Sequence, residues 1–130
     1  RTSVYHKYRI RLRPDELGLA VPPTVLRDRV RAALQAEGVD AVLWQTRPLP
    51  GHPLFTEKIG YGGGYPWAIR PDADRIVYRA ADYPETVRLL DESLVICSET
   101  YPIFCQPLEL IEQYAQGIRK VMAHIEELAD

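Results

Sequence analysis

The sequence predicts the α/β (α+β) class: one domain over residues 1–130, built on a small mixed β-sheet of about three strands covered by helices. Three observations carry that expectation. Residues 4–12 alternate apolar and polar side chains, the period of a half-buried strand. Two later stretches, 24–38 and 107–128, repeat their apolar residues at helical spacing. Apolar residues make up 46% and charged residues 26% of the chain, a balance that lets a chain of this length bury one core of ordinary size.

The elements follow in order. Val4, His6, Tyr8, Ile10 and Leu12 mark the apolar face of the first strand, with Tyr5, Lys7, Arg9 and Arg11 opposite. On that face His6 reads as a hydrogen-bonded core residue. After a connector rich in Pro and Gly, Thr24 is the expected N-cap of a helix whose stripe is Leu26, Val30, Ala33, Leu34 and Glu37. Gly38 is the expected stop, because glycine takes the left-handed C′ conformation without strain. Residues 39–44 read as a second strand. Residues 45–81 hold five prolines and five of the eight glycines, and so long a loop is usually functional or part of an interface.

Regular structure resumes at Asp82, whose spacing from Glu85 suits a capping box, with Pro84 in the first turn of a helix reaching Glu92. Residues 93–98 read as the third strand. Pro107 opens a last helix with a stripe of Leu108, Ile111, Tyr114, Ala115, Ile118, Val121, Met122, Ile125 and Leu128. Gly117 interrupts it at a cost of about 1 kcal/mol relative to Ala.

A net charge of −2 gives no reason to expect nucleic acid. The early run of Arg1, Lys7, Arg9, Arg11 and Arg13 reads as the wet face of a strand. No apolar run approaches the roughly 20 residues of a membrane span, and no secretory signal is visible. Cys97 and Cys105 are too few for a disulfide scaffold, so a cytoplasmic setting is expected. The chain begins Arg1-Thr2-Ser3 and enters a strand at once, which reads as a portion of a longer protein.

Several familiar chemistries lack their residues. The run Gly60-Tyr61-Gly62-Gly63-Gly64-Tyr65 puts Tyr where a dinucleotide fingerprint needs its last Gly, and no Lys-Ser or Lys-Thr follows it. It reads as a loop with unusual backbone angles, or as a flap whose Tyr61, Tyr65 and Trp67 cover a ligand. His6, His52 and His124 lie too far apart in sequence for metal-ligand spacing. Lys7, Lys58 and Lys120 lack the desolvated surroundings that a Schiff-base lysine needs.

Four weak motifs, in order, nevertheless point to one family. They are Tyr5-His6-Lys7-Tyr8-Arg9-Ile10-Arg11; the helix end Leu34 with Glu37-Gly38-Val39; the loop 44–55, with Pro48, Leu49, Pro53 and Phe55; and the Pro84 helix followed by Tyr101-Pro102. In this order the chain resembles, nearly end to end, the C-terminal part of the DegT/DnrJ/StrS sugar aminotransferases, which share the aspartate-aminotransferase-like fold (fold type I). Trp44 and Gln45 stand where that family often has His and Tyr, and Pro50 stands for its second His, with His52 two places on.

The resemblance implies a C-terminal small domain whose partner is a larger N-terminal domain. That domain would carry the pyridoxal phosphate, its Schiff-base lysine and the acid on the ring nitrogen, so this chain alone is expected to bind no cofactor and to be inactive. The complete enzyme would be a homodimer moving an amino group from glutamate or glutamine to a nucleotide-linked keto sugar or a cyclitol. Here the chain would form one wall of the substrate site, with Arg47, Gln45, His52, Trp44, His6 and Tyr65 as substrate-binding residues and none catalytic. Two alternatives stand beside it: a sugar dehydratase of the same family, and a non-catalytic binding or regulatory module.

Overall fold

The computed structural model describes residues 5–98 and 100–130. The expected positions of Arg1 and Val4 lie outside those residues. The described chain forms two compact units, one made of residues up to Trp44 together with Asp91–Asp130, the other of Gln45–Leu90.

The first unit carries the sheet. Strands β1 (Tyr8–Arg11), β2 (Ala41–Val42) and β3 (Ser93–Ile96) lie in the order β1-β3-β2. Both outer strands run antiparallel to β3, with Ile10 opposite Leu94 and with Tyr8 and Ala41 both opposite Ile96. The sheet is therefore antiparallel throughout, not mixed as expected. β1 and β2 do point the same way, but β3 threads between them, so no parallel pair is in contact. The α+β class stands.

Helix α1 (Pro23–Ala36) buries Leu26, Val30 and Leu34, as its stripe predicted. Thr24 is not its cap. The helix begins at Pro23, and the Pro22 carbonyl accepts from the Leu26 N–H. Proline has no N–H to leave unsatisfied, so a proline at N1 starts the helix without a side-chain cap. The other end is as expected. Gly38 has φ +80°, its N–H bonds to Gln35 O, and the Val39 N–H bonds to Leu34 O. Those two bonds form a Schellman motif.

β2 is shorter than expected, because the backbone leaves the ladder after Val42, although Leu43 still packs on the core. β3 ends at Ile96, since Cys97 turns out of the strand with φ +66°. Helix α4 (Leu108–Ala123) lays Val121 into the core with Ile118 and Met122 beside it, and Ile125 and Leu128 pack there from beyond its end. Leu108, expected in that stripe, is 68% exposed. Arg9 and Arg11 lie on the opposite face of β1 from Ile10, where Arg9 Nη1 donates to Ser93 Oγ at 2.7 Å and Arg11 pairs with Glu92 at 2.5 Å.

The second unit is the stretch where sequence periodicity failed, together with most of helix α3 (Pro84–Glu92). It is made of tight turns: helix α2 (Pro53–Thr56) and four single 3₁₀ turns starting at Leu49, Trp67, Ala73 and Ala80. Asp82 ends the last of these and pairs with Arg79, so the expected Asp82–Glu85 capping box does not form. Trp67 is only 8% exposed. It sits edge-on to Phe55 and Tyr78, and its Nε1–H donates to Tyr78 Oη at 3.0 Å. At Gly60 (φ +57°) a Cβ would lie 1.6 Å from the Tyr65 carbonyl oxygen, so only glycine fits that turn.

Candidate functional site

The six residues expected on a substrate wall fall in both units. Trp44 and His6 belong to the sheet unit; Gln45, Arg47, His52 and Tyr65 belong to the other. His6 is exposed at a bend before β1, not in the core, because the ladder starts only at Tyr8. Its ring lies 5.8 Å from that of Phe104, and its carbonyl accepts from the Ile103 N–H. The Lys7 ammonium lies over the Trp44 ring, a cation–π pair, and is enclosed with no hydrogen-bond partner.

In the second unit Gln45 and Arg47 are exposed and make no side-chain hydrogen bond or ion pair among the described residues. Their neighbour Pro48 is buried, which anchors the loop at its middle. His52 occupies the cap position of α2, and its carbonyl accepts from the Phe55 and Thr56 N–H groups. Tyr61 and Tyr65 stand out into solvent, Tyr61 at 92% exposure, with ring centroids 6.4 Å apart. Trp67 does not join them as a flap aromatic: it is the buried centre of its unit. Arg47, His52, Gln45 and Tyr65 make no contact that joins them into one hydrogen-bonded cluster.

A more compact arrangement, outside the sequence expectation, surrounds Tyr114 in the sheet unit. On one side of this residue lies an apolar cavity of about 280 Å³, walled by Tyr5, Tyr8, Ile96, Ile103, Ile111 and Ile118, with Cys97 in its lining. On the other lies a cavity of about 380 Å³ lined by Asp40, Tyr101, Gln35, Gln106 and Leu110. Asp40 holds the end of β3 as it turns: its carbonyl accepts from the Cys97 N–H at 2.8 Å and its Oδ2 from the Ser98 N–H at 2.7 Å.

The electrostatics follow from that placement. Burial pushes the Cys97 thiol up, and the Asp40 charge adds to the shift. Burial likewise raises Tyr114, against the pull of the Asp40 backbone N–H, with the charges of Cys97 and Asp40 adding to the rise. Both groups are held protonated beside one carboxylate. Tyr114 was legible in the sequence only as one member of a helical stripe. Asp40 was hidden inside an apolar run, and nothing in the spacing announces that the two meet.

Among the described residues no three His, Cys, Asp or Glu side chains gather as metal ligands, and no helix is long and apolar enough to cross a membrane. Compared with known proteins, the chain matches no family model and no curated protein.

Proposed function

We propose that this chain is the C-terminal small domain of a pyridoxal-phosphate-dependent aminotransferase of the DegT/DnrJ/StrS type, forming one wall of a keto-sugar or cyclitol site in a homodimeric enzyme. The observation that supports this reading best is the order of elements. A strand, helix and strand come first, then an irregular excursion that forms its own unit with most of the helix after it, then a strand and a closing helix. That is the order in which the four motifs of the resemblance occur.

The residues of this chain do not fit the cofactor itself. Lys58 Nζ donates to the Ala73 carbonyl at 2.5 Å and Lys120 Nζ pairs with Glu37 at 2.7 Å. Lys7 is enclosed, against the sequence expectation, but its ammonium lies over the Trp44 ring, and none of the three lysines lines either cavity beside Tyr114. On this reading the cofactor belongs to the larger domain, and the chain's own part is to bind and orient the substrate. Arg47 is the strongest contributor, because its free guanidinium can grip a diphosphate or carboxylate with two parallel hydrogen bonds. Pro48, which is buried, and Pro50 both follow Arg47 and restrict the loop, so little ordering entropy is lost on binding.

The test is Arg47→Ala in the complete protein. Loss of one charged contact, about 1.5–3 kcal/mol, should lower kcat/KM for the sugar substrate by one to two orders of magnitude. The cofactor's absorbance should stay as it was. Unaltered kinetics toward the natural acceptor would remove Arg47 from the site. A reading frame with no cofactor-bearing lysine upstream of this chain would remove the enzyme reading altogether.

A further inference from the structure

The two cavities beside Tyr114 differ in chemistry, and the one containing Asp40 has an unusual inventory. Among the described residues Asp40 is the one charged residue in the two linings, and neither includes Lys or Arg. Its carboxylate accepts a single hydrogen bond, from the Ser98 N–H, and forms no ion pair among the described residues. A carboxylate has about four acceptor sites, so most of this one's capacity is unused.

Both lining amides donate to a backbone carbonyl. Gln35 Nε2 donates to the Ala41 carbonyl at 2.8 Å and Gln106 Nε2 donates to the Pro102 carbonyl at 3.3 Å. One N–H of each amide is thereby engaged, and neither carbonyl oxygen accepts a hydrogen bond among the described residues. Tyr101 and Tyr114 add two aromatic faces, each electron-rich at its centre. Acceptors, a negative charge and π faces share one cavity of about 380 Å³, with Leu110 as an apolar wall.

We propose that this cavity binds a small primary ammonium ion. Its N–H groups would bond to the Asp40 carboxylate and to the Gln35 and Gln106 carbonyls. Its carbon chain lies along Leu110 and the Tyr114 ring. Charge complementarity selects the cation over an anion or a neutral molecule, and the need for N–H donors selects a primary amine over a quaternary one. The proposal concerns a site on the sheet unit and does not depend on the aminotransferase reading.

The experiment is an NMR titration of the isotope-labelled chain with hexylammonium, tetramethylammonium, hexanol and hexanoate. Hexylammonium should give saturable shifts centred on Asp40, Tyr101 and Tyr114. Tetramethylammonium and hexanol should bind more weakly, and hexanoate should not bind. Asp40→Asn, which can still accept from the Ser98 N–H, should weaken hexylammonium by about tenfold. Should that variant lose its dispersed spectrum, Tyr101→Ala provides the second arm, with binding weakened several-fold. Equal affinity for hexanol, unchanged affinity in the folded variants, or shifts centred elsewhere would overturn the proposal. Shifts at these residues that grow with protein concentration and without amine would also overturn it, in favour of a second copy of the chain.

Discussion

Gly117 shows how one residue can be legible in sequence and yet misjudged there. As a break in a helical stripe it looks like a plain cost of about 1 kcal/mol. In the fold it is buried, and a Cβ at that position would lie 2.9 Å from Val39 Cγ2 and 3.4 Å from Glu37 Cβ. The missing side chain lets α4 pass close to the turn that follows α1. Valine is stiff at χ1 and buried here, so it cannot swing away at low cost. Gly117→Ala should therefore destabilise the chain by about 1 kcal/mol net, the overpacking strain outweighing the gain in helix propensity. In a Val39→Ala background the same substitution should stabilise by about 1 kcal/mol. Denaturant midpoints of the four proteins decide it, and an additive pair would refute the contact.

At the scale of elements, the apolar stripes of α1 and α4 and the alternation in β1 were readable because each depends on local periodicity. The boundaries were less so, since Pro22 and Pro23 start α1 by backbone chemistry that mimics no cap motif. The end of β3 was not readable, because it rests on Asp40, 58 residues away in sequence from the Ser98 N–H it accepts. That junction makes a pH-dependent claim. Cys97 and Tyr114 are both raised in the folded chain, while the unfolded chain releases those protons near about 8.5 and about 10. Their contribution is complete below the ordinary thiol value and is lost as pH rises from there through the raised folded values. The denaturant midpoint should thus fall as pH rises from about 8.5 to beyond about 10. Tyr114→Phe should remove the upper part of that fall. A midpoint that holds or climbs across this range would contradict the burial of both groups. At neutral pH, Cys105, which is exposed, should react with a thiol reagent well before Cys97 does.

For the whole molecule, the question is what becomes of the apolar surface that neither unit buries. The sequence reading places the aromatics of residues 44–67 in a stretch that is functional or part of an interface. The structure divides them: Phe55 and Trp67 pack with Tyr78, whereas Trp44, Tyr61 and Tyr65 stay exposed. No spacing rule separates those two groups, because the packing of Trp67 depends on a turn that only Gly60 permits. The second unit also exposes Ile69 at 69% and Leu49 at 65%, and the sheet unit exposes Tyr8 and Phe104. Apolar patches of more than a few hundred Å² on a soluble domain usually mark an interface. On the proposed aminotransferase reading a larger partner domain covers such surface, and without it the chain should bury that surface against other copies of itself. Sedimentation velocity from micromolar to millimolar concentration should show the average mass rising, and Tyr61→Ser with Ile69→Ser should reduce the rise. Supplying the larger domain should suppress it more fully than the two substitutions do, because a matched interface covers more surface than chance contacts between copies. A chain that stays monomeric over the whole range would mean that these side chains are simply solvated and that no partner is needed to cover them.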